Sequence, residues 1–258
     1  MVFNPNKYRP SASKCVPVIL LLDTSGSMDG EKINSLYDAV QNMVDAFIAQ
    51  RVKEINIKTC IITFGSNVIL NNPCTASEPY IDVNEMHKSG IEKFQAHGMT
   101  PMGLALQCAK DIIEDKDCTP GVWWTPVVVL VSDGQPNDEW RKPLNSFINE
   151  GRSQKCQRIV VAIGNDADID ILTQFAESQS MVFKADEAKD IVEAFKKVTM
   201  SVTHSIVKYS QSIQAGVSNR PSMSKPSAIR DYLAGRKAKY PSHDSFYIDE
   251  YDEDEDLL

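Results

Sequence analysis

Apolar and polar positions fall into blocks along the chain, and each block has its own period. Residues 16–22, "VPVILLL", form a continuous apolar run of strand length. That is the pattern of a strand buried on both faces of a parallel sheet. From about Glu31 to Gln50 the spacing changes: Ile33, Leu36, Tyr37, Val40, Val44, Phe47 and Ile48 recur at three- and four-residue intervals. This predicts an amphipathic helix with one apolar face. "INIKTCIITF" (Ile55–Phe64) alternates and then turns wholly apolar, as a strand entering a sheet interior does, and "GSNV" predicts a tight turn into a short antiparallel edge strand at Val68–Leu70.

Further along, a short helix is expected over Val83–Phe94. "GMTPMGLAL" leads into a helix whose inward face carries Leu106, Ala109, Ile112 and Ile113. Buried strands are expected at Val127–Val131 and Gln157–Gly164, with a helix over Arg141–Gln154 between them. A short helix at Ile169–Glu177, a short strand "MVFK" and a helix from about Glu187 complete the pattern. Strands alternating with helices imply right-handed crossovers. The expected fold class is therefore α/β, doubly wound, with a mostly parallel central sheet and helices on both faces.

Beyond about Ser210 this periodicity gives way to Ser, Pro, Lys and Arg, and then to acid. The expected organisation is one domain over residues 1–209 and a mostly disordered tail over 210–258, basic and Ser-rich, then acidic. The tail explains the charge. Residues 241–258 hold eight Asp and Glu and no Lys or Arg, which equals the whole formal net charge of −8. The rest is neutral and shows no clustered basic footprint, so no nucleic-acid partner is expected.

A hydrophobic share of 42% is ordinary for a globular protein. No run approaches the ~18 apolar residues of a membrane span, and the amino terminus lacks a signal-peptide pattern, so a cytoplasmic chain without membrane attachment is expected. Six scattered cysteines with no C-x-x-C pair argue against zinc and against disulfides. They are expected to be small buried hydrophobes or incidental thiols.

The chemistry gathers at strand ends. "LLLDTSGSMDG" runs from a buried strand into Asp23, and "VVVLVSDG" runs into Asp133. Adjacent strands place both carboxylates at one edge of the sheet, where ligands of such folds collect. Two carboxylates about 5 Å apart at an effective dielectric near 20 repel by roughly 3 kcal/mol. A divalent cation removes that cost, with Ser25, Ser27 and Thr100 as further oxygen donors. An all-oxygen set suits a hard cation; Mg²⁺ retaining some waters fits two acids best, with Mn²⁺ or Ca²⁺ as alternatives. The competing reading of Asp23–Ser27 is a turn and helix N-cap, a use to which Asp, Ser and Gly are also suited. Thr100, ahead of Pro101, is a capping candidate too, and Asp138 is a candidate cap for the helix that follows it.

These residues resemble the von Willebrand factor A (VWA) domain family. Asp23-Thr24-Ser25-Gly26-Ser27 matches its D-x-S-x-S signature, and "HGMTPM" and "LVSDGQPND" supply the threonine and aspartate that complete its metal-ion-dependent adhesion site. The resemblance covers residues 14–207. It implies a non-catalytic module in which the acidic side chain of a protein partner fills an open metal position. "TPMG", "SDGQPNDEW" and "NDADIDILTQF" further resemble the bacterial tellurium-resistance TerY-like group. That implies a stress-response setting, with a kinase, a phosphatase or an ATPase as candidate partner. Met99 stands where glycine is common in the family. The resemblance also leaves room for a regulatory subunit of an AAA-type chelatase or ATPase complex.

An enzymatic reading fits less well. Haloacid-dehalogenase-like phosphatases also use Mg²⁺ and an aspartate after the first strand, but their second aspartate falls where this chain has Ser25. Neither a phosphate-binding G-x-x-x-x-G-K-[ST] loop nor a G-x-S-x-G elbow occurs. A last expectation concerns the tail, one of whose carboxylates is a candidate for the open metal position.

Overall fold

The computed structural model describes residues 14–49, 55–133, 135–176 and 178–214. Seven strands form one sheet: β1 (Lys14–Asp23), β2 (Ile55–Phe64), β3 (Val68–Leu70), β4 (Ile81–Asp82), β5 (Val127–Ser132), β6 (Gln157–Ile163) and β7 (Val182–Ala185). The order is β3-β2-β1-β5-β6-β7, with β4 also pairing with β2. β1, β2, β5, β6 and β7 are parallel; β3 and β4 run antiparallel at the β2 edge. The fold is doubly wound α/β.

The sequence of β1 explains the two-sided core. Val16, Val18, Leu20 and Leu22 pack on one face, while Ile19 and Leu21 pack on the other. Each such buried side chain contributes about 1.5–3 kcal/mol of transfer free energy. On the first face lie α1 (Glu31–Ala49), α2 (Val83–Ser89) and α6 (Ala188–Gln214); on the second lie α3 (Met102–Glu114), α4 (Arg141–Asn149) and α5 (Ile169–Phe175). α1 buries Ile33, Leu36, Val40, Met43, Val44 and Phe47, the face its spacing predicts. α6 likewise buries Ile191, Ala194, Phe195, Val198 and Val202.

Three elements depart from the sequence reading. α2 ends at Ser89 rather than Phe94, because Gly90 takes φ 77, ψ 161, a conformation open essentially to glycine alone. Ile91 and Phe94 are nevertheless buried, so the apolar spacing continues past the end of the helix. α4 stops at Asn149 instead of Gln154, where Lys110 Nζ reaches the carbonyls of Ser146 (2.7 Å) and Glu150 (3.1 Å). The two-residue β4 is too short to show a period of its own.

All six cysteines are free, four of them buried. Trp123 and Trp124 pack at the entrance to β5: Trp124 N–H donates to Cys15 O (2.9 Å), and Trp123 meets Tyr80 edge-on at 5.6 Å. Among the described residues no helix is long and apolar enough to cross a membrane. α6 runs to Gln214; the rest of the expected tail lies outside the described residues.

Candidate metal centre

β1 and β5 are parallel neighbours, with Leu22 opposite Val131, and the strand order changes direction between them. Asp23 ends β1 and Asp133 follows β5, so both carboxylates stand at the crevice expected to bind ligands in this topology. Both are buried.

A continuous hydrogen-bonded chain joins four of the five sequence-predicted residues. Ser25 N–H donates to Asp23 Oδ1 (2.9 Å), Ser25 Oγ and Ser27 Oγ lie 3.0 Å apart, and Ser27 Oγ donates to Asp133 Oδ2 (2.7 Å). Ser132 Oγ closes the far side, donating to Asp23 Oδ2 at 2.6 Å. The fifth residue, Thr100, is buried on an adjoining loop, which is stitched to the first by Gly26 N–H to Gly98 O (3.0 Å) and His97 N–H to Thr24 O (2.8 Å). Asp168 N–H, at the start of α5, donates to Asp133 O (2.7 Å) and ties in the β6 loop.

The turn-and-cap alternative is half right. Met28 N–H to Ser25 O and Asp29 N–H to Gly26 O make a single 3₁₀ turn over Gly26–Met28. No side chain caps that turn: the Ser25 hydroxyl faces Ser27 instead. The two expected caps at the other loops are corrected as well. α3 has Pro101 at its N-cap position and takes no cap from Thr100. Asp138 accepts from Gly103 N–H (3.0 Å) and Leu104 N–H (2.9 Å), so it caps the earlier helix α3 rather than α4.

The electrostatics call for a positive charge. Burial pushes the Asp23 carboxyl up from 3.8 to about 6; the Ser132 and Ser25 hydrogen bonds oppose that rise and the Asp133 charge adds to it. Among the described residues no Lys, Arg or His forms an ion pair with Asp23 or Asp133. Buried carboxylates are normally paired or bound to metal. Lys32 Nζ reaches Ser27 O at 3.3 Å, which puts a cation at the rim without neutralising either acid. Two carboxylates and three hydroxyls are hard oxygen donors, so the residues present fit a divalent cation such as Mg²⁺ or Mn²⁺. Among the described residues no group of three or more His, Cys, Asp or Glu side chains gathers to offer a different centre.

Ser132, Asn137, Asp138 and Asp168 escaped the sequence reading in these roles. For Ser132 a signal was present, a hydroxyl residue closing an otherwise apolar strand. The other three act through bonds to residues distant in sequence, which no local pattern encodes.

The family model for the von Willebrand factor type A domain matches residues 18–219. Among solved structures, the chain is similar to a von Willebrand factor type A protein from Catenulispora acidiphila, at 19% identity and TM-score 0.55, covering 73% of this chain and 42% of that one. It is also similar to proximal thread matrix protein 1 from the mussel byssus, solved with a zinc-occupied MIDAS motif: 18% identity, TM-score 0.55, 72% of this chain and 48% of that one. Manganese-loaded TRAP protein from Plasmodium vivax matches at 21% identity and TM-score 0.50, over 70% of this chain and 72% of that one. At these identities the likeness is one of fold. The chain spans less than half the length of the first two of these structures. No curated protein matches.

Proposed function

Because the chain belongs to the von Willebrand factor type A domain family, we propose that it is a divalent-metal-dependent protein-binding module and not a catalyst. Asp23, Ser25, Ser27, Thr100 and Asp133 hold the metal, and an Asp or Glu of a protein partner completes its coordination. The observation that carries this reading is the pair of buried carboxylates, Asp23 and Asp133, linked through the Ser25 amide and hydroxyl and the Ser27 hydroxyl, with no Lys, Arg or His ion-paired to either among the described residues. Mg²⁺ is the metal proposed for the cell, with Mn²⁺ or Ca²⁺ as substitutes; the zinc and manganese of the two solved relatives support a divalent ion in general.

The ion supplies a Lewis-acidic, positively charged point that recognises a carboxylate. The chain's own residues do the rest. Asp23 and Asp133 balance the ion's charge, the hydroxyls of Ser25, Ser27 and Thr100 offer neutral oxygens, and Ser132 holds the Asp23 carboxylate in place. Lys32 at the rim favours an acidic partner.

The cellular setting proposed is a bacterial tellurium-resistance or stress-response system in the cytoplasm, beside a kinase, a phosphatase or an ATPase. It rests on the resemblance of "TPMG", "SDGQPNDEW" and "NDADIDILTQF" to the TerY-like group.

Calorimetric titration with Mn²⁺ tests the site. Thr100→Ala should weaken Mn²⁺ binding by ten- to a hundredfold while leaving the far-ultraviolet dichroism unchanged, and capture of partners in Mg²⁺ should be lost both in that variant and in EDTA. Equal Mn²⁺ affinity in the two proteins removes Thr100 from the site. Hydrolysis of p-nitrophenyl phosphate by the unmutated chain, lost in Asp23→Asn, would replace the binding module with a phosphatase.

A further inference from the structure

Two residues of the loop after β5 lie outside the proposed ligand set yet grip the loop that carries one of its members. Asn137 bonds Thr100 twice: its Oδ1 accepts from Thr100 N–H (2.9 Å), and its own N–H donates to Thr100 O (3.2 Å). With both backbone groups of Thr100 fixed, the direction of its Cα–Cβ bond is set from the same loop that begins at Asp133, which limits the positions its hydroxyl can take. Asp138 spreads its carboxylate over the first turn of α3, taking Gly103 N–H on Oδ1 and Leu104 N–H on Oδ2. Those are amide groups that a helix start leaves without partners, and here a different loop satisfies them.

The fit is close. A Cβ on Gly103 would lie 2.8 Å from both Glu139 O and Trp140 Cα, and 3.0 Å from Asp138 Oδ2. Just beyond the clamp, Trp140 is buried and accepts Leu144 N–H on its carbonyl (2.9 Å), which anchors the loop to the start of α4.

We propose that Asn137 and Asp138 are positioning residues that hold Thr100 and the first turn of α3 in register with Asp133, so that the two loops present their oxygens as one unit. The clamp is a feature of the fold; its effect on metal affinity rests on the metal-site reading. Residues that orient ligands from behind change metal affinity by ten- to a hundredfold in other metal sites.

The test combines Mn²⁺ titration with amide hydrogen exchange in EDTA, on the full chain. Asn137→Ala should lower Mn²⁺ affinity about tenfold and speed exchange at Thr100 N–H at least tenfold. Asn137→Asp keeps the acceptor and should restore both. Asp138→Ala should release Gly103 and Leu104 N–H and also weaken Mn²⁺ binding, with Asp138→Asn, which keeps one acceptor, in between. In a Thr100→Ala background, Asn137→Ala should cost no further affinity, because its effect runs through Thr100. Unchanged Mn²⁺ affinity in Asn137→Ala, or a fully additive loss in the double variant, overturns the positioning role. If the unmutated chain binds no Mn²⁺, the metal reading fails; unchanged Thr100 exchange in Asn137→Ala overturns the clamp whether or not metal binds.

Discussion

A chain carrying Asp23→Asn will melt at a higher temperature in EDTA at pH 7 than the unmutated chain, and will no longer bind Mn²⁺. Both effects come from one buried carboxylate. In the folded chain burial raises its pKa from 3.8 to about 6, so the folded form holds the proton more tightly than the unfolded chain does. The stability this provides is fully present below about pH 4 and is lost as the pH rises through about 6. At about 1.4 kcal/mol per pH unit, a charged Asp23 costs the metal-free fold roughly 3 kcal/mol at neutral pH.

Asparagine removes that cost and keeps the local bonds. Its Oδ1 still accepts Ser25 N–H, and its amide faces Ser132 Oγ, a hydroxyl that accepts as well as donates. For a domain of this size 1 kcal/mol corresponds to about 2–4 °C, so the gain should be roughly 6–12 °C. In Mn²⁺ the order reverses, because only the unmutated chain gains stability from the ion. Melting curves from pH 4 to 8, with EDTA and with Mn²⁺, read both effects. A metal-free stability of the unmutated chain that does not fall between pH 4 and 6 would refute the account.

Gly98→Ala should destabilise the domain and weaken the metal site together. Gly98 has φ 78, and a Cβ there would lie 2.5 Å from both the Cα and the N of Ser66. Left-handed backbone costs a non-glycine residue about 1–2 kcal/mol, and the collision is with main chain, which cannot rotate aside. A total of about 3 kcal/mol is expected, read as a fall of roughly 6–12 °C in EDTA. Since Gly98 O accepts Gly26 N–H, moving this peptide also separates the Thr100 loop from Ser25 and Ser27. Mn²⁺ affinity should drop at least tenfold in a variant that still folds at 15 °C. An unchanged melting temperature would mean the two loops give way more easily than their main-chain contacts imply.

Much of this was legible from residue order because the strongest signals were long and one-sided. β1, β5 and β6 read as unbroken apolar runs, and α1 shows its inward face over five turns. The D-x-S-x-S stretch, Thr100 and Asp133 were legible as a set because each sits at a strand end or a helix start. The boundary of α2 was not, since Ile91 and Phe94 keep the spacing of a helix while the backbone has already left it at Gly90. The roles of Ser132, Asn137, Asp138 and Asp168 were hidden for a different reason: their partners lie roughly 30 to 110 residues away along the chain, where no local period links them. Asp138 shows the difficulty best. Its position just before α4 pointed to a cap for that helix, whereas its carboxylate serves α3, whose own start at Pro101 has no capping side chain.

The bonds that stitch the loops at the sheet edge, Gly26 to Gly98, His97 to Thr24 and Asp168 to Asp133, are made between main-chain groups. Apart from Gly98, whose positive φ and contact with Ser66 exclude a side chain, such bonds do not use the side chains of the residues they join. Exposed positions around them, such as Met99 and Leu104, are therefore open to exchange without retuning the ligand geometry. A scaffold of this kind divides its labour: main-chain bonds join the loops at the sheet edge, the side chains of Asn137 and Asp138 lock the Thr100 loop and the start of α3, and the exposed positions between them carry neither task.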